Sequence, residues 1–321
     1  MKRLLTLLLL GFPTMAAFAQ QDAQFSQYMF NGLYINPAYA GYRQQWNVNM
    51  FYRTQWVGFP GAPKTFSIAA DGSANNERVG LGIQVMNDKL GAQNNTSFYA
   101  TYAYRIPLDD YNNKTLALGI SGGFVQQRLD VTALDPIDHD DPLLMNAKKT
   151  ALMPDARFGV FYNSERLYAG LSADNLITNV FQKGDALRTY LPLKPHLYFT
   201  VGGLVPLSDM LMLKPSFLLK EDFAGPTSFD LNAFLLINKM IWVGASYRTA
   251  VFNKTAIDNS LTKSGAIVGM LEVFVNDKLR IGYAYDQTVN GTAANNYTTH
   301  EISLSYFFPT QKARMMSPRY F

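Results

Sequence analysis

The chain has 321 residues and a formal net charge of +4, with 48% hydrophobic, 14% aromatic and only 16% charged residues. No window beyond the N-terminus approaches the ~20 apolar residues of a membrane-spanning helix, which excludes a helical membrane bundle, and the small net charge gives no reason to expect nucleic acid binding. Because the chain contains no cysteine, its stability must come from a large hydrogen-bonded framework.

The first 19 residues predict a secretion signal. Lys2 and Arg3 are followed by the apolar run 4–10 and by the small-residue cleavage site at 17–19. An uncleaved anchor is the alternative, but the apolar run is short and is broken by a glycine and a proline. We therefore expect a mature chain that begins at Gln20 and carries 28 − 2 = 26 basic against 24 acidic residues, a net charge of +2.

Residues 20–44 predict an N-terminal segment that docks onto something. The segment is too rich in aromatic rings to hang in water and too polar and turn-rich for a membrane helix. Apolar residues at helical spacing predict one amphipathic helical turn over Gln24–Asn31. The docking residues are predicted to be Gln24, Phe25, Ser26, Gln27, Tyr28, Met29, Asn36, Pro37, Tyr39 and Gly41. Two interpretations stay open: an internal plug of the protein's own fold, or a docking surface for a partner.

Residues 45–308 predict an all-β transmembrane barrel of about 14 antiparallel strands. Apolar residues alternate with small or polar ones, as in 79–85 and 279–286, which is the period of a strand. Aromatic residues at strand ends on the apolar face favour a barrel in lipid over a water-soluble sandwich. The predicted strands are 45–57, 64–72, 77–87, 94–106, 113–128, 155–163, 166–174, 195–206, 210–220, 227–237, 239–250, 263–275, 278–288 and 297–308.

Connection lengths predict the orientation of this barrel. Connections after even strands are mostly tight, whereas those after odd strands include the long loops Leu129–Pro154 and Asn175–Lys194. Outer membrane barrels place short turns in the periplasm and long loops outside. Both termini are therefore expected in the periplasm, with 309–321 as a C-terminal tail.

Charged residues on the polar face of the strands predict a network inside the barrel. Their mixed signs favour a structural network over a selectivity ring. The predicted members are Arg53, Arg105, Arg157, Arg248, Arg280, Glu272, Asp286 and Glu301.

Catalytic and metal motifs give weak signals, so we expect no enzyme, no cofactor and no metal centre. Gly119–Gly123 matches the G-x-S-x-G pattern, but it lies in a continuous predicted strand instead of a strand-turn-helix elbow. His300 and Ser303 lie three apart, on opposite faces of a strand. The acidic stretch Asp130–Asp141 is interpreted as a solvated loop because it lacks the EF-hand signature, although its several carboxylates leave calcium binding open.

The N-terminal motifs resemble the PorP/SprF family of outer membrane proteins, associated with type IX secretion and gliding in Bacteroidetes. The resemblance rests on D-x-QFSQYM at Asp22–Met29, INPAYAG at Ile35–Gly41, and the YR-x-QW and G-x-P elements before Asp71. Ala23 stands where many members have proline.

The resemblance implies an outer membrane barrel, in contact with lipid, whose partners are type IX secretion components and the C-terminal targeting domain of a secreted cargo or adhesin. The alternative function is a channel for small solutes, in which inward arginines favour anions.

Overall fold

The computed structural model describes residues 25–110, 113–130, 133, 148–178, 193–223, 225–251, 265–289 and 297–308, with Lys148 and Lys149 as backbone only. Within these ranges almost all of the regular structure is antiparallel β-strand. The strands are β1 Asn47–Thr54, β2 Lys64–Ala74, β3 Val79–Leu90, β4 Gln93–Pro107, β5 Thr115–Asp130, β6 Lys148–Asn163, β7 Leu167–Asp174, β8 His196–Gly203, β9 Val205–Pro206, β10 Leu211–Glu221, β11 Thr227–Ile237, β12 Ile241–Val251, β13 Gly265–Asn276, β14 Leu279–Val289 and β15 Thr298–Phe307.

The sheet closes on itself because the first strand pairs with the last. The register of β1 and β15 runs from Asn47 opposite Phe307 to Thr54 opposite His300. Strands β8 and β9 both pair with β10, so together they occupy one position in the wall. The result is a closed antiparallel barrel of 14 strands, which confirms the predicted fold. Closure gives every strand of the wall a hydrogen-bonded neighbour on each side, as a bilayer requires of the strands that cross it.

The two faces of the wall are inverted relative to a water-soluble protein. On β3, Leu81 and Ile83 are exposed on the outside while Gln84 is buried inside. On β15, Ile302 faces out and Ser303 faces in. An apolar exterior around a polar interior is stable only when lipid surrounds the barrel, because acyl chains replace water at the outer surface. In the described part of the chain, no helix has the length and hydropathy needed to cross a membrane.

The barrel has a turn end and a loop end. The turn end carries the start of β1, the end of β15 and short connections such as 238–240 and 277–278. Asn238 and Lys239 both adopt left-handed backbone, which suits a tight hairpin. The loop end carries the connections 131–147, 175–195 and 252–264.

One predicted boundary is wrong. The loop predicted at Leu129–Pro154 is shorter, because β5 continues to Asp130 and β6 already begins at Lys148. Pro154 is accommodated within β6 because β7 pairs only with Phe158–Asn163, so the earlier part of β6 is an edge that needs no donor from proline. Most of the acidic stretch 130–141 lies outside the described residues, so its interpretation as a solvated loop stays a prediction and calcium binding stays open.

Candidate functional site

Residues 25–43, here called the plug, lie inside the barrel. They form three 3-10 turns, Tyr28–Phe30, Gly32–Tyr34 and Pro37–Tyr39. The Asn31 side chain accepts a hydrogen bond from the Leu33 N–H at 3.3 Å and so caps the second turn. Asparagine, glycine and proline at these junctions keep each turn short, since none of them continues a helix well.

The predicted amphipathic helix over Gln24–Asn31 is therefore wrong in type. Its described part is one 3-10 turn, and Ser26 and Asn31 are buried as completely as the apolar residues. The cause is enclosure on all sides: the plug has no solvent face, so polar residues find partners on the barrel wall. Gln24 lies outside the described residues.

A buried ion cluster holds the leading end of the plug. The Ser26 and Gln27 N–H groups donate to the two carboxylate oxygens of Glu301 at 2.8 and 2.9 Å. Arg53 lies 2.9 Å from Glu301 and 2.7 Å from Asp286, and its side chain is 3% exposed. The pairing compensates the cost of burying these charges, while Glu301 satisfies two backbone donors that no helix or sheet satisfies.

A second group of charged and polar side chains continues this cluster around Tyr28. Arg248 lies 3.0 Å from Asp230 and 3.9 Å from Asp286. Asn232 donates to the Tyr28 hydroxyl at 2.7 Å. Burial raises the pKa of Tyr28 well above its usual range, so this phenol stays neutral.

Cations satisfy the plug carbonyls on the β10–β14 side. Lys214 donates to the Met29 carbonyl at 3.4 Å, and Arg280 donates to the Phe30 carbonyl at 3.3 Å. Both cations also lie 5.0 Å from the centre of the Phe30 ring. Glu272 lies 2.9 Å from Arg280 and balances its charge.

The Phe30 ring fills an apolar pocket at the same place. It meets Phe234 and Trp242 edge-on, with ring centres 5.4 and 5.9 Å apart. All three side chains are fully buried. This ring therefore anchors the plug by packing in addition to the polar contacts.

The trailing half of the plug contacts β2, β4 and β6. Asn36 donates to the Val160 carbonyl of β6 at 3.0 Å, and the Gly41 N–H donates to Asp71 of β2 at 2.9 Å. Arg105 donates to the Ala40 carbonyl at 3.1 Å. The plug thus spans the lumen from β14, β15 and β1 to β6.

Glycines in the wall let the plug backbone approach closely. A Cβ added to Gly80 would overlap the carbonyl of Ala40, and one added to Gly119 would overlap the backbone of Ala38. A Cβ added to Gly159 would overlap the side chain of Asn36. These positions tolerate only glycine because the obstructing atoms belong mainly to backbone.

All eight predicted network residues lie inside the barrel, but they do different things. Five contact the plug directly, namely Arg53, Arg105, Arg280, Asp286 and Glu301. Arg248 and Glu272 act through their ion-pair partners. Arg157 instead lies 3.6 Å from the centre of the Tyr99 ring, above the plug.

Sequence reasoning missed several residues of this site, among them Arg43, Asp71, Lys214 and Asp230. Lys214 is 2% exposed and Asp71 is fully buried. Strand phase was the available signal, because both lie on the inward phase of their strands. Their strands consist mostly of apolar or small residues, so one inward charge gives only a weak signal.

A cavity of about 110 Å³ lies between the plug and the loop end. Its lining includes Phe25, Tyr34 and the cations Arg157 and Lys220, together with Asp174. The cavity combines aromatic surface with both signs of charge. Such a lining suits a peptide side chain better than a uniformly charged ion.

The catalytic motifs do not assemble a site. β5 runs unbroken through Gly119–Gly123, and the Ser121 hydroxyl lies 2.7 Å from that of Thr101. His300 faces outward, 2.6 Å from the Tyr283 hydroxyl, whereas Ser303 faces inward. Within the described ranges, no group of three or more His, Cys, Asp or Glu side chains is placed to hold a metal ion.

Comparison with known proteins agrees with this architecture. A search of curated proteins finds no match. Among solved structures, the CymD monoaromatic hydrocarbon channel is 11% identical with a TM-score of 0.54, covering 90% of this chain and 94% of that one. Omp33 of Acinetobacter baumannii is 9% identical with a TM-score of 0.47, covering 83% of this chain and 98% of that one. At 11% identity, the likeness to CymD shows the fold alone.

The family model of the type IX secretion system membrane protein PorP/SprF matches residues 17–306. This range includes the plug motifs and nearly the whole barrel. The chain therefore belongs to the PorP/SprF family of type IX secretion membrane proteins and is an outer membrane β-barrel.

Proposed function

We propose that this barrel is a closed, non-enzymatic partner of type IX secretion that binds a secreted surface protein through that protein's C-terminal targeting domain. By this binding it anchors the cargo or helps its export. A gliding adhesin is the cargo that the family resemblance suggests. The observation that carries the proposal is the plug, which fills the lumen that a conduit would need to keep open.

The strength of plug attachment favours a partner over a channel. Opening the lumen would replace the Glu301, Asn36 and Gly41 contacts with contacts to water. It would also expose the plug rings of Phe25, Phe30 and Tyr34, which the wall now buries. Burial of one such side chain stabilises by about 1.5–3 kcal/mol, so spontaneous opening is disfavoured.

We infer that the loop end faces the outside and the turn end faces the periplasm. Short turns at one end and long connections at the other support this orientation. Both termini then lie in the periplasm, after removal of the signal at 1–19. The cavity above the plug faces the outer surface, where a cargo segment reaches it together with the connections 131–147 and 175–195.

The plug serves as the floor of this cargo site. Phe25, Tyr28 and Tyr34 of the plug line the cavity alongside wall residues such as Arg157 and Lys220. A cargo side chain entering the cavity would therefore contact plug and wall at once. Internal plug and docking surface are thus two roles of one segment.

The test is affinity purification of the tagged protein from outer membranes, followed by identification of what accompanies it. We expect a large secreted protein. Recovery of periplasmic ring components alone would instead make the barrel a part of the machine. Recovery of neither protein class, together with steady conductance of the purified barrel in planar bilayers, would establish the channel and overturn the proposal.

A deletion variant tests the role of the plug separately from that of the barrel. Removing 21–41 is expected to leave a barrel that inserts, shown by compact mobility of the unheated protein on gels, but that conducts ions and loses its cargo. Lys239→Gln, a substitution in an exposed turn, is the matched control and should retain cargo. Unchanged cargo display by the deletion variant would refute the role given to the plug.

A further inference from the structure

A row of cations lies on the outer face of β2–β5 at the loop end. Lys64, Lys89 and Arg128 are exposed, while the residues beside them in sequence, such as Thr65 and Gln127, are buried in the lumen. Lys64 pairs with Lys89, Lys89 pairs with Asn94, and Asn94 pairs with Arg128. The three cations therefore stand at one level across four adjacent strands.

Within the described part of the chain, this row has no ion-pair partner. Lys64 and Lys89 stand directly opposite each other across β2 and β3, an arrangement in which like charges repel. Among the described residues, no hydrogen bond or ion pair reaches the side chains of Lys64, Lys89 or Arg128. An external anion would relieve the repulsion.

Two further layers lie between the cations and the middle of the barrel. On β3–β5 the next level holds Asn87, Thr96 and Gln126, and the Asn87 amide donates to Thr96 at 2.8 Å. On β2 the same level holds the exposed ring of Phe66. The level below holds Phe98 and Phe124, whose rings stack with centres 5.8 Å apart. The outer surface thus changes from apolar to amide and hydroxyl to cationic towards the rim.

The cation row is not repeated at the loop end of three other described strands. The outward positions there are Val251 of β12, Val289 of β14 and Thr298 of β15, which carry no charge. A general requirement for solubility at the rim would place cations at these positions too. A specific contact explains why three cations gather on β2–β5.

We propose that this sector binds a phosphorylated glycolipid of the outer leaflet. The acyl chains pack against the rings of Phe98 and Phe124, and the sugar with its amide groups contacts Gln126. The phosphate pairs with the three cations Lys64, Lys89 and Arg128. The assignment to the outer leaflet rests on the orientation in the proposed function, whereas the lipid contact itself does not depend on cargo.

The experiment uses the purified full-length protein in detergent, with bisphosphorylated lipid A as the probe and native mass spectrometry as the readout. The triple variant Lys64→Gln/Lys89→Gln/Arg128→Gln should bind this lipid about a hundred-fold more weakly, at about five-fold for each cation. The matched control is Lys114→Gln/Arg166→Gln/Lys239→Gln, which removes three exposed cations at the turn end and should bind as wild type. Compact gel mobility of the unheated protein verifies that each variant is folded.

The remaining arms identify the ligand. Wild type should bind dephosphorylated lipid A as weakly as the triple variant binds the bisphosphorylated form. Inorganic phosphate at the same concentration should not compete, because it lacks the acyl chains. Equal lipid binding by wild type and the triple variant, or full competition by inorganic phosphate, would overturn the proposal. A triple variant that keeps lipid but loses a co-purifying protein would mark the sector as a protein interface instead.

Discussion

Replacing Gly119 by alanine should loosen the plug without disturbing the wall. Gly119 faces inward on β5, and an added Cβ would overlap the nitrogen and Cα of Ala38. Because those atoms are backbone, no side-chain rotation can relieve the clash, and the plug must move. Overpacking of this kind costs about 1–3 kcal/mol.

Gly122 on the same strand is the matched control. It faces outward, and an added Cβ would have no protein atom within 4 Å. Gly122→Ala therefore makes the same chemical change without touching the plug. Its expected effect is a stabilisation of about 0.5–1 kcal/mol, because alanine loses less conformational entropy than glycine in a strand.

Hydrogen exchange followed by mass spectrometry measures the outcome. Plug amides such as those of Ser26, Gln27 and Gly41 are protected by carboxylates of the wall. A loss of 1–3 kcal/mol in plug attachment should speed their exchange about 5- to 150-fold in Gly119→Ala, while peptides from β14 exchange as before. Equal plug exchange in the two variants, or equal acceleration in plug and wall, would refute the reasoning.

Three further predictions follow from the buried contacts and the outer surface. Arg53→Met should lower the free energy of unfolding by about 3–5 kcal/mol, because it leaves two buried carboxylates without their cation. The variant should lose its compact gel mobility at a lower temperature, while Arg78→Met on an exposed turn should change little. Equal loss in both variants would contradict this. Phe30→Ala should lower the free energy of unfolding by about 3–5 kcal/mol through the cavity that it leaves, and it should speed hydrogen exchange of the plug amides. Plug amides that exchange at the wild-type rate would count against the anchoring role of the ring. Ile120→Arg, in the apolar band, should lower the free energy of folding into lipid vesicles by about 2–4 kcal/mol. Gln126→Arg, near the rim, should lower it by only about 0–1 kcal/mol. A reversed order would contradict the placement of the membrane.

Strand positions were predictable because the bilayer imposes a strict rule on the outer face. Lipid-facing residues such as Ile302 must be apolar, and their neighbours such as Ser303 face a polar lumen, so the period of two is visible in the sequence. The rule fails at Pro154, which looks like a strand breaker. Its tolerance depends on whether a neighbouring strand needs its N–H, and only the pairing of β6 decides that.

The lumen was only partly predictable for a related reason. Strand phase places Arg53 and Glu301 inside, but it does not say which charges meet. Lys214 gave a weak signal because the inner face of β10 mixes Met212 and Leu218 with lysine and serine, where the plug places the Phe30 ring. With apolar residues on both faces, the period of two is blurred on this strand.

By itself, the sequence determined the secretion signal prediction, the phase of nearly every strand and the family motifs, because each depends on residues close together in the chain. The tertiary structure alone decided that the aromatic N-terminal segment packs within its own barrel and which wall residue meets each plug atom. Ser26 and Glu301 are 275 residues apart, yet they share a hydrogen bond. The physical reason is that an irregular segment cannot satisfy its own N–H and C=O groups, so its partners are set by the register and closure of the wall around it.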